Sequence, residues 1–259
     1  MSTQLRYLMT YPQMVESMLG SMPEEEAFAR AVGGEYERIG ALEHALLRAN
    51  GLGPGDLVVD AGCGSGRLAW QLRRYPGLRY VGTDIVPALL DFARRKVGRP
   101  DFRFEQVEAP VLPVADGSAD MVAFFSVFTH LLHEESYAYL QDAHRALRPG
   151  GRVVFSFLEY AVPMAWPILE AGVDWVRKRY AAGHLNVFMH RADLRIWAER
   201  LGFDVAAMHY GDDLFIAVDA EAATDPVPAG RYALGQSVCV LRKPPPGQAA
   251  APAAVAREG

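Results

Sequence analysis

The chain has 259 residues, 51% of them hydrophobic and 22% charged, and a formal net charge of −5. That balance is ordinary for a soluble globular protein with core enough for one large domain or two small ones, and the mild negative charge argues against a nucleic-acid-coating protein, which shows a strongly basic surface. Two cysteines, Cys63 and Cys239, leave no disulfide framework and fit a reducing compartment.

Residues 1–50 read as helical, interrupted at Pro12, Pro23 and Gly33-Gly34, and they carry methionines and tyrosines ahead of the first strand. They are either a helix packed on the domain or a cap over a substrate. Met1 to Met14 lack the charged-then-apolar layout of a signal peptide. Leu57-Val58-Val59-Asp60 is a buried strand that feeds a glycine cluster. Leu68, Leu72 and Tyr75 recur at helical spacing before Pro76-Gly77 stops the helix. A second strand, Arg79 to Asp84, precedes a helix opened by Pro87. Phe102 to Val107 and Met121 to Val127 are the third and fourth strands. Tyr137, Leu140, Ala143 and Leu147 mark a helix closed by Pro149-Gly150-Gly151, and Arg152 to Leu158 is the fifth strand. Even the longest nearly apolar run, Met121 to Phe128, is too short to cross a bilayer, so a cytoplasmic protein without membrane contact is expected.

Repeated βα units imply a parallel sheet with helices on both faces. Beyond them, Leu169, Val173, Val176 and Tyr180 form a stripe on an extra helix after Pro163 and Pro167, and Leu194, Trp197 and Leu201 mark another. Phe203 to Tyr210 and Gln236 to Leu241 are two further strands without a helix between them, so one of the seven, Gln236 to Leu241, is expected to run antiparallel. The division expected is a helical cap over 1–50, a ligand-binding α/β domain over 51–243 with a helical insertion at about 161–190, and a disordered Pro/Ala/Gly-rich tail over 244–259.

The run Asp60-Ala61-Gly62-Cys63-Gly64-Ser65-Gly66 carries the chemistry. A strand ending in an acid and three alternate glycines brings backbone against a ligand at the carboxyl edge of an open α/β sheet. A nicotinamide fingerprint, G-x-G-x-x-G, would need glycine at Arg67, and the acid before Gly62 suits a cationic ligand better than a pyrophosphate. Asp84, at the end of the second strand, can accept two hydrogen bonds from ribose hydroxyls or cap the helix that begins at Pro87.

On these residues the chain resembles the class I S-adenosylmethionine-dependent methyltransferases, from about Glu35 to Leu158. The resemblance implies a Rossmann-like, doubly wound, seven-stranded and mostly parallel sheet with S-adenosylmethionine as cofactor and S-adenosylhomocysteine as product. It assigns Asp60, Gly62, Gly64 and Gly66 to the loop at the methionine end of the cofactor, with Cys63 a small filler inside it. Asp84 goes to the ribose and Ile85 to the adenine face. The stretch Leu112-Pro113-Val114-Ala115-Asp116-Gly117-Ser118-Ala119-Asp120 is similar to the family's L-P-F-x-D-G-S-F-D, which places Val107-Glu108-Ala109 where the family has Gly-Asp-Ala and gives Glu108 the adenine amino group. Ser126-Val127-Phe128-Thr129-His130-Leu131 resembles a segment of bacterial small-molecule methyltransferases. Gly34 to Gly40, with Tyr36, resembles one that lies against the cofactor. Arg148-Pro149-Gly150-Gly151 matches the turn into the fifth strand.

Methyl transfer needs alignment and exclusion of water, plus a base where the acceptor is a hydroxyl. His130 is the first candidate, with a helix-start structural role as its alternative; Glu159 and Tyr160 follow, and His184 and His190 flank the insertion. Tyr7, Tyr11, Met14, Trp166 and Trp175 are available to cover the site. The adjacent Asp212 and Asp213 read as solvated, so no metal is expected. Phe125-Ser126-Val127-Phe128 does not match the Asn/Asp-Pro-Pro-Phe/Tyr motif of amino-directed nucleic-acid methyltransferases. The expectation is therefore a small-molecule acceptor and no nucleic acid, with the oligomeric state open. A cofactor-binding regulatory or scaffold protein without turnover is the alternative.

Overall fold

The computed structural model describes residues 6–178 and 185–247, with side chains from residue 10 onward. Five strands, β1 (Leu57–Ala61), β2 (Arg79–Asp84), β3 (Arg103–Gln106), β4 (Ala119–Phe124) and β5 (Leu147–Phe157), run parallel. β6 (Asp204–His209) lies at one edge, and β9 (Ser237–Arg242) is inserted between β5 and β6, antiparallel to both. The sheet order is β3-β2-β1-β4-β5-β9-β6, the seven-stranded mixed sheet expected from the sequence. The Pro/Gly/Asp-rich connection, read as loop, also holds a small hairpin, β7 (Ile216–Val218) with β8 (Gly230–Tyr232).

Alternation along each strand divides the core between the two faces. Val59 and Ala61 point to the side covered by α6 (His133–Ala146) and α8 (Arg191–Leu201), where Leu140, Ala143, Leu194 and Ala198 are buried. Val58 points to the side covered by α3 (Tyr36–Ala49), α4 (Arg67–Leu72) and α5 (Pro87–Val97), against Leu47, Leu68, Leu72 and Leu90.

Several sequence expectations shift. α1 (Arg6–Leu19) runs through Pro12 without ending there, while Pro23 and Gly33-Gly34 do separate it from α2 (Glu24–Ala31) and α2 from α3. β5 starts at Leu147, so Arg148 to Gly151 belong to an irregular strand start, with Ala119 opposite Leu147 but Met121 opposite Arg152. α7 (Trp166–Arg177) carries the expected apolar stripe, yet Val173 and Val176 are 41% and 51% exposed instead of filling a core. Tyr180, His184 and the tail from residue 248 lie outside the described residues, as does the side chain of Tyr7. No helix among the described residues is long and apolar enough to cross a membrane.

α1 and α2 fold back over the carboxyl edge of the sheet. Val15, Phe28 and Ala31 pack on Val86, Leu89 and Phe92 at the start of α5, which fixes this helical pair beside the glycine loop.

Candidate active site

The loop from Gly62 to Gly66 requires glycine at each alternate position. Gly62, Gly64 and Gly66 have φ of +71°, +54° and +83°, a region that L side chains avoid. An added Cβ would lie 2.4 Å from Val127 Cγ2 at Gly62, 2.4 Å from Val32 Cγ1 at Gly64 and 2.8 Å from Ala93 Cβ at Gly66. The loop is tied down by its neighbours. Cys63 N donates to Thr83 O (2.8 Å), Gly64 N to Asp84 Oδ2 (2.9 Å) and Ser65 Oγ to Phe28 O (3.0 Å).

Two buried carboxylates face the space above this loop. Asp60, 3% exposed, accepts the Tyr80 hydroxyl on Oδ2 at 2.7 Å, and burial pushes it up from the ordinary carboxylate range to about 7. Asp84 accepts Val86 N on Oδ1 (2.9 Å) as well as Gly64 N, so the helix-capping role and the loop contact coexist; burial raises it to about 6. The carboxylate has more acceptor positions than these backbone amides fill.

These groups open into a cavity of about 380 Å³. Of the residues expected to hold the cofactor, Asp60, Gly62, Cys63, Gly64, Asp84, Ile85, Val107, Ser126 and His130 line it. α1 supplies Thr10, Tyr11, Met14 and Met18 from above, and Leu185 and Gln236 close another side. His130 Nδ1 lies 2.8 Å from Leu185 O, a contact that requires the Nδ1–H tautomer. Ser126 is held in a left-handed conformation (φ +59°) by hydrogen bonds with its neighbours: its amide donates to Ser156 Oγ (2.8 Å), and Gln236 Nε2 donates to Ser126 Oγ (3.1 Å).

Other expected site residues stand elsewhere. Tyr36 lies beneath the loop, its hydroxyl donating to Ser65 O at 3.0 Å, so it supports the cradle and does not line it. Gly66 caps α4. Glu108 and Ala109 are exposed beyond the end of β3, off the cavity lining; Glu108 accepts from Gln106 Nε2 at 3.5 Å, and the Ala109 carbonyl accepts Val111 N at 2.7 Å. Glu159 is off the cavity lining: both its oxygens are held by Arg191 (2.7 and 2.8 Å), and Ser237 Oγ donates to it at 2.9 Å. Tyr160, 51% exposed, stacks on Phe188 outside the cavity. His190 caps α8 by accepting Ala192 N at 3.2 Å, and Trp166 spends its indole N–H on Tyr160 O at 3.0 Å. Among the described residues no three His, Cys, Asp or Glu side chains converge as a metal site.

Sequence reasoning missed Tyr80, Gln236 and the buried pair Glu43–Arg67, whose side chains line or brace the cavity. Only Arg67 carried a signal, as the residue in place of a nicotinamide glycine.

The methyltransferase-domain family model matches residues 59–155. A demethylmenaquinone methyltransferase of Thermus thermophilus is 31% identical over 183 residues, 60% of this chain and 81% of that one. The chain belongs to the class I S-adenosylmethionine-dependent methyltransferases. A malonyl-[acyl-carrier protein] O-methyltransferase of Serratia marcescens is 30% identical over 65% of this chain, and the match spans 63% of that relative, a little under two thirds of its length. Among solved structures, a complex between the Trm112 methyltransferase activator of Haloferax volcanii and a methyltransferase aligns with a TM-score of 0.61 and 25% identity, covering 80% of this chain and 91% of that chain. The enzyme's own residues fit its cofactor: a glycine loop packed too tightly for any side chain, with the buried carboxylates of Asp60 and Asp84 beside it on the cavity wall, suits a cationic adenosine derivative. Nothing in these comparisons supports the alternative of a scaffold without turnover.

Proposed function

We propose that this methyltransferase transfers the methyl group to an oxygen, nitrogen or carbon of a small, largely apolar metabolite that sits between α1 and the carboxyl edge of the sheet. The observation that carries this is the shared cavity: Tyr11, Met14 and Met18 of the helical cap line the same space as Asp60, Asp84 and His130. The methionine and aromatic side chains that α1 sets on the cap side of the cavity favour an apolar ligand, and a relative named for demethylmenaquinone is compatible with such an acceptor.

S-adenosylmethionine, when bound, supplies a methyl group on a sulfonium whose thioether leaves neutral, without acid or metal. Gly62, Gly64, Asp60 and Asp84 hold it, with Ile85 and Val107 against the base. The cap formed by α1 and α2 excludes water and positions the acceptor. His130, with Nδ1–H donated to Leu185 O, presents Nε2 as the proton acceptor where the acceptor atom carries a proton. Buried thiols at Cys63 and Cys239 suit a reducing, cytoplasmic setting, and no role is assigned to nucleic acid.

The test is transfer from methyl-labelled S-adenosylmethionine into a metabolite extract fractionated by polarity. Label in the apolar fractions is the expected result. Label confined to charged, water-soluble fractions would overturn the acceptor class, and binding without transfer into any fraction would restore the scaffold alternative.

A further inference from the structure

Asp60 is the acid of the glycine loop, but it does not stand alone. Tyr80 begins two residues before Gly82 on β2, and its hydroxyl reaches along the strand to donate to Asp60 Oδ2 at 2.7 Å. The path exists because residue 82 has no side chain: a Cβ there would lie 2.9 Å from the Tyr80 hydroxyl and 2.9 Å from Cys63 Sγ. The ring is locked by stacking on Phe102 (centroids 5.0 Å apart) and by tilted contact with Phe104 (5.5 Å). Burial, then the neighbouring Asp60 charge, push the phenol well above its ordinary value, so Tyr80 stays protonated and is the donor.

We propose that Tyr80 is a positioning residue for cofactor recognition: its hydroxyl fixes the orientation of the Asp60 carboxyl group and favours its carboxylate form, so that a buried anion meets the cationic amino-acid end of the ligand. Burial alone favours the neutral acid, and a neutral Asp60 offers no charge to an ammonium group. The Tyr80 hydrogen bond opposes that tendency. The other ionisable groups around Asp60 are Glu43 on α3, Arg67 on α4, Asp84 at the end of β2 and Cys63 in the loop. Glu43 and Asp84 raise it and Arg67 lowers it. Arg67 is already engaged with Glu43 at 2.5 Å, which leaves Tyr80 as the partner in direct contact with the Asp60 oxygen. This inference concerns the cofactor alone and stands or falls independently of the acceptor.

The experiment is calorimetric titration of the wild type and Tyr80→Phe between pH 6.0 and 8.5 with two probes. One is S-adenosylmethionine; the other is 5′-methylthioadenosine, which keeps adenosine and thioether but lacks the ammonium and the sulfonium. Losing the hydroxyl raises Asp60, and one pKa unit is a factor of about ten in the neutral-to-ionised ratio. S-adenosylmethionine should therefore bind Tyr80→Phe roughly tenfold more weakly at pH 6, narrowing to less than about 1.5-fold by pH 8.5, while methylthioadenosine binds both proteins alike. Unchanged affinity, an equal loss at every pH, or a parallel loss of methylthioadenosine would overturn the proposal. Should Tyr80→Phe not fold, replacement of Tyr80 by 3-fluorotyrosine keeps the shape and offers a more acidic donor. Its affinity profile must then move to lower pH, and a profile that stays put or moves the other way overturns the proposal.

Discussion

Asp84 Oδ2 accepts the Gly64 amide across 2.9 Å, so the carboxylate that ends β2 also fixes the tip of the glycine loop. One side chain thus shapes the cradle and, in the function proposed above, offers acceptors to the ribose. Asp84→Ala removes both functions. Hydrogen bonds involving a charged group contribute about 1.5–3 kcal/mol, so S-adenosylmethionine should bind roughly 10- to 100-fold more weakly. Asp84→Asn should be nearly as harmful, because an amide has one acceptor oxygen for the two backbone N–H groups that Gly64 and Val86 present. Calorimetric affinity that is unchanged in Asp84→Ala would remove Asp84 from the ribose site.

The same burial that prepares the site destabilises the ligand-free protein. Asp60 and Asp84 are raised from 3.8 to about 7 and about 6. A carboxyl group whose folded pKa lies above its unfolded one contributes stability at low pH and loses it as pH rises through the folded value. The apo enzyme should therefore lose stability between about pH 4 and 7 from these two groups, and S-adenosylmethionine should raise Tm more at pH 7.5 than at pH 5.5. Asp60→Asn should flatten that fall. Apo Tm measured against pH decides it: a slope identical in Asp60→Asn and wild type would show that Asp60 is ionised throughout.

Arg67 bridges the cap to the core. Its guanidinium pairs with Glu43 at 2.5 Å, and Nη1 donates to Val32 O at 2.5 Å; the side chains are 10% and 2% exposed. Burial pushes Glu43 up and Arg67 pulls it back. Removing one partner of such a pair strands a buried charge, at a cost of about 3–5 kcal/mol. Arg67→Ala should lower Tm on the order of 10 °C for a chain of this size. Arg67→Met combined with Glu43→Leu should recover most of the loss, since neither charge is then left alone. Equal Tm in the single and double variants would show that the Val32 contact, not the ion pair, carries the stability.

How much of this was legible in the sequence depends on range. The strands, the glycine loop and Asp84 could be read because their signals are local: an apolar run, alternate glycines, an acid at a strand end. The antiparallel β9 followed from two strands with no helix between them. Glu159 could not be judged that way. Its partners, Arg191 and Ser237, are 32 and 78 residues distant, and a carboxylate past a strand looks like a base until they are seen. Tyr80 escaped for a related reason: in sequence it is one more aromatic in a strand, and only Gly82 beside it and Asp60 across the sheet give its hydroxyl a purpose. The exposed stripe of α7 had the right period, but periodicity does not say which surface it meets.

His130 is the remaining test of mechanism. It sits on the loop after β4, lines the cavity with Met14 and Tyr11, and is oriented by the Leu185 carbonyl 2.8 Å from Nδ1. That contact sets the tautomer, so the ring's proton-accepting nitrogen is Nε2. A base positioned in this way contributes roughly 10²–10⁴-fold to a rate, while the proposed function rests cofactor affinity on Asp60, Asp84 and the glycine loop. His130→Ala, assayed with the acceptor found by label transfer, should therefore lower kcat by about two orders of magnitude or more for a protonated oxygen acceptor and leave the S-adenosylmethionine Kd within about threefold, a change under 1 kcal/mol. His130→Asn separates orientation from proton transfer, since its amide can still donate to Leu185 O but cannot take a proton at pH 7. If His130→Asn keeps wild-type turnover, the residue positions Leu185 and the acceptor, and alignment alone drives transfer. If both variants lose cofactor affinity in step with rate, His130 belongs to the cofactor pocket, and the acceptor's proton leaves by another route.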